Sequence, residues 1–229
     1  MDNVTTKELS ARSVADYFMD EDEIGEIQSF YMSFQRLMSY YKCAIMEIET
    51  KFKVLDEQFS TMHERNPIDN IRTRLKSVQS IRDKLIRKDL PLTIDSIEEN
   101  LSDVAGVRVI CPFIDDVYFL ANCLIGQDDV KLLKMKDYIQ TTKPNGYRSL
   151  HLIVEIPIFL QEEKRDMKVE VQLRTIAMES WANLEHRLRY KKDLDEGTMH
   201  EISDALNDCA RLSDVLDKKM QEAKNIIET

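Results

Sequence analysis

Glycine is scarce in this chain: 229 residues hold only five. There is no glycine-rich phosphate loop and no Gly-x-Gly-x-x-Gly turn, so a bound nucleotide would need side chains to hold its phosphates. The four cysteines, Cys43, Cys111, Cys123 and Cys209, are scattered without metal or redox spacing. They read as reduced thiols rather than a disulfide framework. No apolar run approaches a transmembrane length. The first thirty residues are acidic and lack a basic start followed by an apolar stretch, which argues against a signal peptide. The expectation is a cytoplasmic protein that makes no use of a membrane. Positive charge is also in deficit: the net charge is -10, which excludes duplex nucleic acid as the main ligand. A local cationic patch for small anions is still compatible with that balance.

With 43% hydrophobic residues the chain can bury a sizeable core. Residues 1–24 are polar and acidic and read as an arm. From Ile27 onward Phe34, Met38, Tyr41, Ile45, Ile48, Phe52, Leu55, Phe59 and Met62 recur at three and four, the seam of one long helix. That seam serves either a core or an oligomer contact, and intramolecular burial is the commoner fate. After Asn66-Pro67 the pattern predicts a second helix over 68–89, then a short one near 95–101. Strand signals follow at 107–111, 130–139, 149–160 and 167–174, with a helix at 115–126 and a charged loop at 161–166. Helices return at 176–190 and 199–226. The fold class is therefore α+β, a mixed sheet flanked by helices, with long helices at both ends.

Four segments carry chemistry. On the predicted second helix Lys76, Ser80, Lys84 and Arg87 are spaced four, four and three, with Arg74 at the head of the series. A solvated charged face is the bland alternative, but cations mixed with serines in an acidic chain suit polyphosphate. Asp103 precedes a strand carrying Gly106 and Arg108; a helix or loop cap and a surface strand residue are the plain readings. The run Lys143 to His151 holds an Asn-Gly turn signal. It also sets Lys143, Asn145, Tyr147, Ser149 and His151 on one face if extended, a ring for stacking with donors around it. In residues 169–174, Glu170, Gln172 and Arg174 oppose Val169, Val171 and Leu173. If Asp103 and Glu170 are neighbours, they make an oxygen-ligand site for Mg²⁺. Together these features specify a nucleotide-binding transferase.

These segments, in this order, resemble the synthetase domain of the RelA/SpoT family. The resemblance rests on Arg74-Leu75-Lys76-Ser77 with Ser80 and Lys84, Asp103 to Arg108, Asn145 to His151, Glu170 to Thr175, and Trp181 with Leu184-Glu185-His186. It spans about residues 66–192. No His-Asp pair occurs in the chain, so it resembles the family without its hydrolase domain, as in a small alarmone synthetase. The resemblance implies a nucleotidyltransferase-like sheet of about five strands. It also implies transfer of the pyrophosphoryl group of ATP to the ribose 3′-hydroxyl of GDP or GTP, the alarmone synthesis of the stringent response. Arg74 and Arg108 would sandwich adenine, and Lys76, Ser80, Lys84 and Arg87 would bind ATP phosphates. Asp103 and Glu170 would hold Mg²⁺, with Glu170 activating the 3′-hydroxyl. Tyr147 would stack on guanine, with Lys143, Asn145, His151 and Gln172 around the acceptor. It further implies a homotetramer, so residues 193–229 are expected to be a helical oligomerisation segment beside a synthetase domain at 25–192, itself a helical part at 25–65 and a motif-bearing core at 66–192. A guanine-nucleotide sensor without turnover is the main rival, and a single-stranded RNA module is a second.

Overall fold

The long N-terminal seam is core. Helix α1 (Glu21–Met62) buries Tyr41, Ile45, Ile48, Phe52 and Phe59 against the sheet, with Phe34, Met38 and Leu55 at the margin of that contact. Only Met62, at the end of the series, stands open at 72% exposure. The computed structural model describes residues 21–62, 65–189 and 195–228. Residues 1–20 of the expected acidic arm lie outside the described residues, and residues 21–24 belong to α1.

Beyond α1 run β1 (Asn70–Leu75), α2 (Val78–Arg87), α3 (Ile94–Asn100), β2 (Ala105–Cys111), α4 (Ile114–Ile125), β3 (Lys131–Asp137), β4 (Leu150–Phe159), β5 (Lys164–Thr175), α5 (Ile176–Arg189) and α6 (Glu196–Ile227). The sheet order is β1-β2-β5-β4-β3. β2 and β5 are parallel and every other pair is antiparallel, so the sheet is mixed as expected.

Two expectations are corrected. The helix expected over 68–89 begins only at Val78, and residues 70–75 form the edge strand β1. Ile71, Leu75, Val78, Ile81 and Leu85 satisfy a helical spacing, but Ile71, Thr73 and Leu75 also alternate with Asn70, Arg72 and Arg74. Pairing with β2 decides in favour of the strand. Ser77 marks the true helix start: its Oγ accepts the Ser80 N–H at 3.3 Å, satisfying an amide that the first helical turn leaves without a partner. The expected loop at 161–166 is shorter. β4 and β5 form a hairpin, Leu160 N–H donating to Glu163 O, and β5 starts at Lys164. Two of its charges have partners. Arg165 pairs with Glu98 and lies over the Tyr40 ring, and Tyr40 Oη donates to Glu163.

Helix α6 docks by an unusual face. Leu206 and Ala210 pack on Trp181, whose Nε1–H donates to Leu206 O at 2.9 Å. The rest of that face is charged. Asp214 and Asp217 receive Arg148, and Lys224 meets Asp115 and Asp116 on α4. Of the stripe Ile202, Ala205, Cys209, Leu212 and Leu216, only Ile202 packs on the Trp181 cluster; Leu212 and Leu216 are 58% and 53% exposed.

Candidate active site

The floor of the site is one side of the sheet, from the edge strand β1 through β2 to the central strand β5. Gly106 on β2 pairs with Arg74 on one flank and Glu170 on the other. Residues 106 and 108 share a face of the strand, so the missing side chain leaves a gap beside Arg108. A Cβ at Gly106 would meet only ordinary contacts, 3.5 Å to Arg74 O and 3.9 Å to Glu170 O, so the glycine keeps the floor open. The resulting cleft, about 450 Å³, is lined by Arg74, Lys76, Asp103, Arg108, Glu170 and Gln172, among others. A larger cavity of about 900 Å³ lies between Phe59, Phe119, Arg65 and Lys224. There Arg65 is paired with Asp116 and Lys224 with Asp115, so it offers little unspent charge.

On one side of the cleft, Lys76 at the exit of β1 and Lys84 on α2 both donate to Asp103 Oδ2 at 2.6 Å. The predicted helical series is thus split between a strand exit and a helix, yet its two lysines converge on one acid. Burial pushes the Asp103 carboxyl up, but hydrogen bonds from Lys76 and Lys84 outweigh it and hold the group below the usual carboxylate range. For Lys76 the balance goes the other way, and burial lowers its ammonium despite Asp103. The two shifts share a cause: Asp103 is paired twice, whereas Lys76 has one carboxylate and a cationic neighbour in Lys84. Asp103 Oδ1 is buried without any partner. Ser80 Oγ accepts from Ser77 Oγ, and Arg87 is exposed in the last turn of α2.

The turn before β4, with β5, makes the other side. Tyr147 Oη is 2.8 Å from His151 Nε2, and His151 Nδ1 is 3.3 Å from Glu170 Oε1. Ser149 Oγ and Arg174 Nη2 also donate to Tyr147 Oη, at 3.0 and 2.8 Å. Gln172 donates to Glu170 Oε2 and accepts from Arg174. Burial raises the Glu170 carboxyl, but hydrogen bonding and charge from His151, with Gln172, outweigh it and hold the group below its ordinary range. Lys143 Nζ lies over the rings of Tyr138 and Tyr147 at 4.4 and 4.8 Å. Asn145 Oδ1 accepts the Tyr147 N–H at 3.3 Å and so shapes the turn. The segment is a turn rather than an extended strand until Leu150. Tyr147, Ser149 and His151 nonetheless meet through their hydrogen bonds, while Asn145 is spent on the backbone.

A model of the region found in RelA / SpoT proteins matches residues 73–195. The chain belongs to the RelA/SpoT family. It is 43% identical over 188 residues to the GTP pyrophosphokinase YwaC of Bacillus subtilis, covering 82% of this chain and 89% of that protein. Among solved structures it is similar to small alarmone synthetase 2 of B. subtilis, with a TM-score of 0.74 and 40% identity, over 84% of this chain and 98% of that one. It is also similar to small alarmone synthetase 1 of B. subtilis bound to its product pppGpp, with a TM-score of 0.77 and 31% identity, over 86% and 98%. The five-stranded mixed sheet is the fold of this group of the RelA/SpoT family.

Sequence reasoning missed the cationic hub of this RelA/SpoT site. Glu179, in the first turn of α5 and 6% exposed, accepts from Arg72 and Arg108 on Oε1 and from Arg174 on Oε2. Three guanidinium groups on one carboxylate leave positive charge for a ligand. Arg108 Nε and Arg174 Nε are buried donors without partners. The available signal was position: Arg72 two residues before Arg74 on an alternating strand, and Arg174 in phase with Glu170 and Gln172. Nothing in the sequence marked Glu179 as their common partner.

The residues present also fit a divalent cation of the hard, oxygen-seeking kind. The orphaned Asp103 Oδ1 is a buried anionic oxygen with no proton to accept, and Glu170 lines the same cleft. Among the described residues no group of three or more potential ligands gathers. A pair of carboxylates suits Mg²⁺, which keeps water and substrate phosphates in its shell.

Proposed function

We propose that this chain is a GTP pyrophosphokinase that transfers the pyrophosphoryl group of ATP to the ribose 3′-hydroxyl of GDP or GTP. The observation that carries the reading is the hydrogen-bonded line from Tyr147 through His151 to Glu170. It ends in the same cleft where Asp103 keeps a buried oxygen unspent beside two lysines. A guanine-nucleotide sensor has no use for that line or for a second acid.

The donor ATP lies along β1, β2 and α2. Arg74 and Arg108 flank its adenine, and Lys76, Ser80, Lys84 and Arg87 hold its phosphates. The acceptor base stacks on Tyr147, with Lys143, Asn145, His151 and Gln172 around it. The acceptor 3′-oxygen attacks the β-phosphorus and forms the new P–O bond. The bond from that phosphorus to the α,β-bridging oxygen breaks, and AMP leaves with the bridging oxygen. The 3′-hydroxyl proton passes to Glu170. Mg²⁺ bound at Asp103 and Glu170 would offset charge on the donor phosphates. Most of the rate then comes from holding two nucleotides in line within a cationic cleft.

The same reading includes a cytoplasmic homotetramer. No helix among the described residues is long and apolar enough to cross a membrane. The exposed stripe of α6 is an unpartnered apolar face, which supports residues 193–229 as the oligomerisation segment beside a synthetase domain at 25–192. The test is incubation with ATP, GDP and Mg²⁺ followed by chromatography. Stoichiometric AMP and a 3′-pyrophosphorylated guanine nucleotide are expected. Binding of both nucleotides without AMP would leave the sensor reading in its place.

A further inference from the structure

The segment from Gly146 to Ser149 carries Tyr147, yet it belongs to no strand. Its backbone is held by few hydrogen bonds: Lys143 N–H to Tyr147 O, Gly146 N–H to Lys143 O, Tyr138 N–H to Ser149 O and Tyr147 N–H to Asn145 Oδ1. A turn that must present a ring to a base needs support from elsewhere. That support is α6. Gly146 has φ +84°, and a Cβ there would lie 2.4 Å from Ala210 Cβ, so the turn rests directly on the helix. Tyr147 packs beside Trp181, Leu206 and Ala210. Between Tyr147 and Ser149, whose hydroxyls meet in the site, Arg148 is spent on α6. It is 6% exposed, and its fork spans one helical turn, Nη1 to Asp214 Oδ1 at 2.7 Å and Nη2 to Asp217 Oδ2 at 2.6 Å, with Ser213 Oγ at 3.4 Å.

We propose that Arg148, clamped by Asp214 and Asp217, is a positioning residue for the acceptor nucleotide, and that α6 thereby sets the geometry of the acceptor pocket. Arg148 touches neither nucleotide. It acts through Tyr147, so its loss falls on one substrate. The inference rests on the reading of this turn as the acceptor side.

The test uses Arg148→Lys, which keeps the charge but loses the fork, and Asp214→Asn, a milder change that leaves Asp217 in place. In ligand-free full-length protein, amide exchange at 145–149 should quicken in both variants. Emission of Trp181, the only tryptophan, should shift as α6 loosens. In steady-state kinetics, kcat/KM for GDP should fall roughly 10–100-fold. KM for ATP should stay within about twofold of the parent, as expected for a distant and independent site. Unchanged exchange at 145–149 overturns the proposal, whether or not the parent makes AMP. Equal losses for both nucleotides, tracking a lower melting temperature, overturn it as well and leave Arg148 a purely structural ion pair. A parent that forms no AMP while its variants show faster exchange refutes the proposed reaction and not the clamp.

Discussion

The two halves of the cleft are built on opposite plans. The donor half, from β1, α2 and β2, is a set of cations with few protein partners: Arg74 and Arg87 are exposed, and Lys76 and Lys84 share a single carboxylate oxygen. The acceptor half is cross-braced. Tyr147, His151, Glu170, Gln172 and Arg174 bond to one another in sequence, Arg174 returns to Tyr147, and it also reaches Glu179. In the proposed reaction charge brings a triphosphate to the first half, and little geometry need be fixed beforehand. The same reaction requires a neutral base and a hydroxyl to be oriented by the second, whose groups brace one another without a ligand. Glu170 is where the two meet.

The largest effect should come from that junction. Glu170→Gln keeps the shape but exchanges one accepting oxygen for an amide NH2 and removes the basic carboxylate. Turnover should fall by at least ~10²–10⁴-fold from the lost proton acceptor. AMP release under saturating ATP and GDP measures it. Near-parent rates would detach Glu170 from the chemistry and reduce it to a brace of the acceptor half.

Gly106→Val should damage the donor half without unfolding the sheet. The added Cβ meets only ordinary contacts, and valine suits a strand. The isopropyl group would occupy the open floor between Arg74 and Glu170. A misfit of this size costs roughly 10–200-fold in kcat/KM. Melting temperature and ATP titration together check it; intact ATP affinity would show that the donor does not use this floor. Tyr147→Ala is its counterpart, losing ~1–3 kcal/mol of stacking on the acceptor alone. Calorimetric titration of GDP and of ATP separates the two, and equal weakening would make Tyr147 a structural residue.

The contrast between the halves also explains what was legible in the sequence. The acceptor half sits on β4, β5 and the turn before them, where hydrophobic alternation was clean and the polar residues fell in phase. The donor half begins on an edge strand. There alternation in Ile71, Thr73 and Leu75 was overlaid by a three-four spacing that continues into α2, and Lys76 was placed on the wrong element. Lys76 and Lys84 nonetheless come together, because Asp103 gathers them from separate elements. Glu179 was not legible, since a partner for three arginines on different strands is a tertiary fact. The terminal helices make the same point. Both carry three-four stripes, but α1 buries its stripe in the core, whereas α6 docks through Leu206, Ala210 and charged residues and leaves Leu212 and Leu216 open. Periodicity reports that a stripe exists and not which face finds a partner.

The smallest effect concerns proton balance, and it contrasts carboxylates whose charged form folding favours with a lysine whose charged form it penalises. Asp103 and Glu170 titrate below their ordinary values in the folded chain. Unfolded carboxylates return to about 3.9 and 4.3. The folded state therefore binds fewer protons than the unfolded state near those values, and stability rises with pH there. This contribution is complete above the unfolded values. It is lost as pH falls through the folded ones, below the ordinary carboxylate range. Lys76 gives the same slope on the alkaline side, but there it is the charged form that folding penalises. Its folded value lies below that of a free lysine, so its burial is a cost at neutral pH that is relieved as pH rises past the unfolded value. Urea midpoints measured from pH 3 to 7 should rise with pH in the parent. In Asp103→Asn the rise should be shallower, because one of the two depressed carboxylates is gone. The variant should also be less stable at pH 7, since Lys76 and Lys84 then face each other without their shared anion. An Asp103→Asn curve parallel to the parent would mean that the lysine–aspartate contact is not held in solution. The donor half would then be still more open than its ion pairs suggest.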